Sequence, residues 1–396
     1  MKHFPVTWKR TQLGEIAEIV RGSSPRPAGD PRYFDGDFLP WTTVADVTGD
    51  NGMYLKHTRS KLTKAGSEHT RILERGTLIL TNSGATLGVP KIMQIRAGAN
   101  DGIAAFLNLN GAQSEYLYFF LQTQTRFFRE RLAPGVGQPN LNTELIGSVP
   151  IALPPESEQG KISQILQRCD AAQEKIEAIA AAKAERKRGL MQQLLTGQTR
   201  FKEFKGERWR TYRLGELFTE RIEIGRTDLP LVAITGQNGV VPRDSLTKRD
   251  NSSEDKSKYL RITPGDIGYN TMRMWQGVAG LSQIEGIVSP AYTICIPSKQ
   301  IDAQFAAYLF KTAPMIHAFH RNSQGLVDDT LSLKYHNFAR IHVTIPAVPE
   351  QKRIAAVLAA CDVEIKLLEK QLEALKEQKR GLMQKLLTGE IRVKTN

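Results

Sequence analysis

The stretch Lys187–Gly197 reads KRGLMQQLLTG and the stretch Lys379–Gly389 reads KRGLMQKLLTG, ten of eleven positions identical at an offset of 192 residues. Carried backwards at that offset the match continues without a gap. Ile162, Ile165, Leu166, Cys169 and Asp170 fall on Ile354, Val357, Leu358, Cys361 and Asp362, and Glu158-Gln159 falls on Glu350-Gln351. In the second copy the apolar positions Ile354, Leu358, Cys361, Ile365, Leu368, Leu372, Leu375, Leu382 and Leu386 recur at steps of four and three, a heptad seam. The first copy carries Ile162, Leu166, Cys169, Ile176, Ala180, Leu190 and Leu194 in the same phase. Each copy opens after prolines and closes at LLTG, with Gly197 or Gly389 suited to end a helix. Glu158 to Thr196 would make a helix of roughly 58 Å at 1.5 Å per residue. A helix of that length with an apolar seam needs a partner, and the other copy is the obvious one.

The segments ahead of the two helices repeat more loosely. WKRTQLGEI (Trp8–Ile16) aligns with WRTYRLGEL (Trp209–Leu217) at an offset of 201, and RGTLILTNSGATLGV (Arg75–Val89) with PGDIGYNTMRMWQGV (Pro264–Val278) at 189. The offset drifts in these parts and holds in the helices, because a loop absorbs an insertion whereas one extra residue turns a heptad seam by about 100°. The chain therefore reads as globule (1–153), helical spacer (154–200), globule (201–346) and helical spacer (347–396). Short β-like runs (GTLIL, AAFLNL, SVPIAL; LPLVAIT, GDIGYN, AYTICIP, RIHVTIP) and one helical stretch per globule (Ser114–Leu132, Ala303–His320) make the fold class α+β.

A net charge of +13, from 54 Lys+Arg against 41 Asp+Glu, favours a polyanionic partner, most often nucleic acid, over a merely basic soluble protein. Three separated cysteines exclude a disulfide scaffold or zinc cluster. No apolar run approaches the ~20 residues of a membrane span and no signal peptide is visible, so a cytoplasmic location without membrane contact is expected. The chain lacks a GxxxxGK[ST] phosphate loop, and DPRYF at Asp30 lacks the second proline of an adenine-methyltransferase motif. A nuclease-like set (Asp244, Glu254, Asp255, Lys256) lies in hydrophilic sequence without strand character, and His317 and His320 lack a third metal ligand. The chain is expected to be non-enzymatic and to hold no metal.

Two dissimilar globules alternating with two near-identical helices, with LGE openings, EQ pairs where the helices begin and KRGLMQxLLTG endings, resemble the specificity subunit of type I restriction–modification systems. That resemblance implies two target recognition domains, each reading half of a split duplex DNA target. It also implies an antiparallel helix pair that sets the gap and docks two methyltransferase subunits and the restriction subunits. Methylation of adenine N6 or ATP-dependent cleavage would then be the work of those partners, which would hold S-adenosylmethionine, ATP and Mg²⁺; no cofactor is expected on this chain. A basic coiled-coil scaffold binding proteins or RNA is the competing class.

Base reading needs Arg, Asn, Gln or short hydroxyl side chains on loops. In the first globule the candidates are Arg21, Ser23, Ser24 and Arg26, with Arg32 further along the same loop; Asn82, Ser83, Thr86 and Lys91, just after Thr81; and Gln138 and Asn140. In the second they are Gln237 and Asn238, Lys248 and Arg249, Asn270, Thr271, Arg273, Trp275 and Gln276, and Arg321 and Gln324. The plain alternative for each is a solvated loop, and for Trp275 core packing.

Overall fold

The computed structural model describes residues 4–132, 140–236, 238–247, 252–327 and 330–394. The chain divides into two compact units, one of Met1–Glu177 with Lys370–Asn396 and one of Ala178–Glu369. The cut runs through both long helices, Glu156–Leu195 and Val348–Leu386. Each unit therefore holds one globule, the first half of the helix that follows it, and the last half of the other helix. The second helix begins at Val348, ahead of Pro349, because proline is tolerated in a first turn whose N–H groups have no intrahelical acceptor.

In the first unit the strands are β1 (Lys9–Gln12), β2 (Glu18–Arg21), β3 (Leu39–Thr42), β4 (Tyr54–Leu55), β5 (Ser60–Leu62), β6 (Arg71–Leu73), β7 (Leu78–Thr81), β8 (Pro90–Met93), β9 (Ala97–Ala99), β10 (Ile103–Leu107) and β11 (Pro150–Leu153). They form a five-stranded sheet in the order β2-β10-β7-β8-β4, a four-stranded sheet β5-β3-β9-β6, and the pair β1-β11 that brings the globule's ends together. The apolar run Leu78-Ile79-Leu80 is buried on both faces. Leu78 and Leu80, with Ala104 and Phe106, join a core completed by Tyr116, Leu117, Phe119 and Phe120 of helix Ser114–Phe127. Ile79, Ile103 and Ala105 point the other way, into a core shared with Leu73, Ala97 and Ala99 of the four-stranded sheet. The strand period of two divides one continuous apolar run between two cores.

The second unit repeats this with β12 (Arg210–Arg213), β13 (Phe218–Glu220), β14 (Val232–Thr235), β15 (Gly239–Pro242), β16 (Leu260–Ile262), β17 (Ile267–Asn270), β18 (Ala279–Leu281), β19 (Gly286–Val288), β20 (Tyr292–Pro297) and β21 (His342–Ile345). Its main sheet, β13-β20-β17-β18, follows the order of the first less the outer strand, and β12-β21 replaces β1-β11. The looser alignment is borne out in backbone conformation: Gly88 and Gly277 occupy the same left-handed position, at φ 86° and 77°. The expected helical stretch Ala303–His320 is a correction. It forms two helices, Ala303–Leu309 and Ala313–Asn322, because the second starts afresh at the Thr312 cap with Pro314 in its first turn.

Within each unit the two half-helices run antiparallel. In the first, Lys379 pairs with Asp170 at 2.5 Å and Gln173 Nε2 donates to the Leu375 carbonyl at 3.3 Å. In the second, Lys187 pairs with Asp362 at 2.5 Å and Lys183 with Glu364 at 2.7 Å. The seam is buried where it meets the globules, at Ile162 and Leu166 in one unit and Ile354 and Leu358 in the other.

Each KRGLMQxLLTG segment is a plug into a globule. Leu386 and Leu387 enter the first unit's core, and Leu194 and Leu195 enter the second's. The lysine that opens each phrase lies over an aromatic ring, Lys379 over Phe119 at 5.2 Å and Lys187 over Tyr308 at 5.1 Å. The closing glycines, at φ 72° and 74°, turn the chain so that Arg392 and Arg200 reach back. Arg392 grips buried Glu158 at 2.6 and 2.8 Å, and Arg200 grips buried Glu350 at 2.9 and 2.6 Å. Trp8 and Trp209 donate their indole N–H to the same two carboxylates, at 3.1 and 3.2 Å. The following Gln159 and Gln351 are buried as well, each donating to two carbonyls and accepting one backbone N–H.

Candidate nucleic-acid interface

Strand pairing places most of the first unit's candidate loops at one end of the main sheet. Ala104 of β10 faces Arg21 of β2, and Ile103 faces Thr81 of β7. The loops that follow β2 and β7 and precede β10 therefore emerge together. Asp101, in the last of these, organises the end. It accepts from Ser24 Oγ at 2.5 Å, and Arg26 lies 3.3 Å from its other oxygen. The Asp101 carbonyl accepts from Arg21 Nε. The hydrogen bond from Ser24 holds the Asp101 carboxyl below its ordinary range, with Arg26 and Arg21 adding to the effect. Ser83 pairs with Asn140 in an isolated bridge, and Leu141 N donates to the Asn82 carbonyl at 2.8 Å. Arg21, Ser23, Ser24, Arg26, Ser83, Thr86 and Asn140 thus share one exposed or half-exposed rim.

Two candidates of this unit are withdrawn. Lys91 is 1% exposed, with its ammonium committed to Asp50 beside a cavity of about 550 Å³, and burial removes it from any groove-facing surface. Asn82 is likewise 1% exposed and points inward, without a partner for either side-chain polar atom. Arg32 pairs with Asp30 at 2.6 Å. Gln138 lies outside the described residues.

The second unit builds the same end. Asn270 of β17 faces Tyr292 of β20, and Thr271 N and Oγ1 both donate to the Ala291 carbonyl, at 2.9 and 2.6 Å. The Thr271 carbonyl accepts from Leu333 N, as that of Asn82 does from Leu141. Asn270 Oδ1 accepts the Met272 N–H at 3.0 Å, and Trp275 Nε1 donates to the Met272 carbonyl at 3.1 Å. Trp275 is neither core nor freely projecting: it is half-buried, with its ring edge-on to His320 at 5.8 Å. Arg273, Gln276, Arg321 and Gln324 are exposed, and Gln324 is bridged to Ser332. Asn238 turns the β14–β15 hairpin, whose Gly236 approaches Val278. Gln237, Lys248 and Arg249 lie outside the described residues.

Sequence reasoning passed over Asp101 and Met272. Asp101 follows no recognisable motif, and its role depends on loops brought together from three strands. Met272 was hidden by its apolar character, although an apolar residue inside a turn is itself a signal. No group of three or more His, Cys, Asp or Glu able to hold a metal occurs among the described residues, and no described helix is long and apolar enough to cross a membrane.

Residues 5–185 match the family described as type I restriction modification DNA specificity domain. The matched stretch takes in the first globule and most of the first long helix, and the chain as a whole is similar to type I restriction enzyme specificity subunits. It is 23% identical to the type I restriction enzyme MjaVIII specificity subunit of Methanocaldococcus jannaschii, covering 98% of this chain and 94% of that one. It is 30% identical to the MjaIX specificity subunit of the same organism over 169 residues, which span 42% of this chain and 38% of that protein. Among solved structures it is similar to the type I restriction–modification S subunit from M. genitalium, with a TM-score of 0.57, 13% identity, and 98% and 97% of the two chains covered. A chain from the structural description of complex assembly and conformational transition of the type I R-M system gives a TM-score of 0.58 at 14% identity, covering 98% of this chain and 100% of that one. At these identities the two structures speak for the fold, which is that of two mixed helix–sheet units joined by paired long helices.

Proposed function

We propose that this chain is the DNA-reading subunit of a type I restriction–modification complex and is not itself an enzyme. Each unit reads one half of a split duplex target with the loops at the end of its main sheet, and the paired helices hold the two halves at a fixed gap. The observation that carries this reading is the contrast between frame and rim. Glu158/Glu350, Gln159/Gln351, Trp8/Trp209, Arg392/Arg200 and Lys379/Lys187 make equivalent contacts in the two units. The loops at the sheet ends share their position and almost none of their side chains. Unlike side chains on a common frame suit an asymmetric target, and the basic balance of the chain suits its phosphates. The recurrence of the frame also favours two equivalent docking places, one for each of two methyltransferase subunits, with restriction subunits joining the full complex. S-adenosylmethionine, ATP and Mg²⁺ belong to those partners.

Exchange of the globule 209–346 for that of another family member tests the modular part. The methylated motif should change in one half and keep the other; a change in both halves refutes it. The spacer role is tested by inserting one heptad after Glu177 and one after Glu369. Those sites lie away from the docked ends, whereas Met191 packs against the second unit's core and is a poor insertion point. Seven residues add roughly 10 Å of helix and keep the seam in phase. The gap should grow by about three base pairs at 3.4 Å each, with both halves unchanged; an unchanged gap contradicts the reading.

A further inference from the structure

Met272 occupies the tip of the turn Asn270–Arg273, closed by the Arg273 N–H donating to the Asn270 carbonyl at 3.0 Å. Turn tips are ordinarily taken by Gly, Asn, Asp or Ser. Met272 instead exposes an unbranched apolar side chain, 46% accessible. Its neighbours are fixed on every side. Its own N–H and carbonyl are held by the side chains of Asn270 and Trp275, and Thr271 is bonded to Ala291 and to Leu333. With 46% of its surface accessible at the sheet end, Met272 offers an apolar side chain to whatever approaches there. The side chains around it, Asn270, Arg273 and Gln276, suit base edges, whereas Met272 has nothing to offer a hydrogen-bonding edge.

We propose that Met272 is a specificity-determining residue that packs against the 5-methyl group of a thymine in the major groove of the half-site read by the second unit. This rests on the DNA-reading function proposed above. Thymine is distinguished in that groove by its methyl group, and an apolar contact is the means of sensing it. Methionine, flexible and polarizable, suits a contact with one projecting methyl. The unit thus combines hydrogen-bonding side chains with one apolar probe, and its half-site contains at least one A·T pair.

The test uses the full chain and a pool of randomised DNA duplexes. Selected duplexes are resynthesised with deoxyuridine, which lacks the methyl, in place of each thymine of the second unit's half-site in turn. One replacement should weaken binding about fourfold, the value of one buried methyl-sized group. Met272→Ala and Met272→Gln should bind the thymine duplex about fourfold more weakly and be indifferent to that replacement. Both should melt like the parent chain, since the side chain is half exposed. If the parent chain selects a sequence but ignores every replacement, selects a half-site without A·T pairs, or passes its sensitivity unchanged to Met272→Ala, the assignment of Met272 is wrong while DNA reading stands. If the parent chain selects no sequence, both fall.

Discussion

The two units agree where they grip the helices and part company where their sheets end. The buried Glu–Arg–Trp cluster and the buried glutamine recur with nearly the same distances in both. The periphery is different. The first unit carries the outer strand β4 and an internal Lys91–Asp50 pair, with Gly280 opposite Lys91 in the alignment. Its second layer is one four-stranded sheet, where the second unit has the two pairs β14-β15 and β16-β19. The second unit compensates with charge: Arg261 joins Glu223 and Glu285 at 2.8 and 2.5 Å, and Arg221 joins Asp266 at 2.9 Å. The two units thus share the contacts that hold the helices and differ in their outer strands and ion pairs.

The largest expected effect comes from removing the arginine from a buried carboxylate. Arg200→Ala leaves Glu350, 1% exposed at its side chain, without its cation and should destabilise the second unit by about 3–5 kcal/mol. Thermal unfolding should show a midpoint about 10 °C lower. Arg392→Ala should cost the first unit less, because Arg392 is itself 44% exposed and water reaches the pair more readily. Equal losses would mean that the two clusters are more alike than their exposures state.

Asp50→Asn should cost about 2 kcal/mol by leaving the Lys91 ammonium buried against a neutral partner, while Lys91→Met should be nearly neutral in denaturant unfolding. The reverse order would show that the pair contributes net stability. Gln159→Leu and Gln351→Leu should each cost about 1–2 kcal/mol, and equally, since each strands the same three backbone groups.

The smallest effect is a pH dependence confined to the first unit's rim. The Asp101 carboxyl is lowered from its ordinary value of 3.8, so its contribution is complete above that value and is lost only as pH falls through the lower, folded one. Carbon-detected NMR should find it charged at pH 4 and the Ser24–Asp101 contact intact there. Titration above 3.8 would contradict the hydrogen-bonded rim.

The repeat made the architecture legible because heptad phase and fixed length are local properties of a sequence. Glu158-Gln159 and Glu350-Gln351 stood out as a repeated pair, yet their partners Arg392 and Arg200 are 234 and 150 positions away and become visible only when the helices dock. The rim was legible in part. Arg26, Ser83, Asn140, Arg273 and Gln276 lie on it because loops follow strands, but no sequence periodicity tells a side chain at a strand's end whether it points out or in. Lys91 and Asn82 point in. Lys91 lies within β8, paired with Ile79, and its ammonium is met by Asp50 from another segment.

The central claim, that two unlike rims on one frame read two unlike half-sites, is tested most directly by mapping N6-methyladenine across the genome of cells with and without this gene. The account expects a split motif, two dissimilar short halves at a constant gap, present with the gene and absent after its deletion. A methylation pattern unchanged by deletion, while the cell still expresses the methyltransferase subunit, would contradict it.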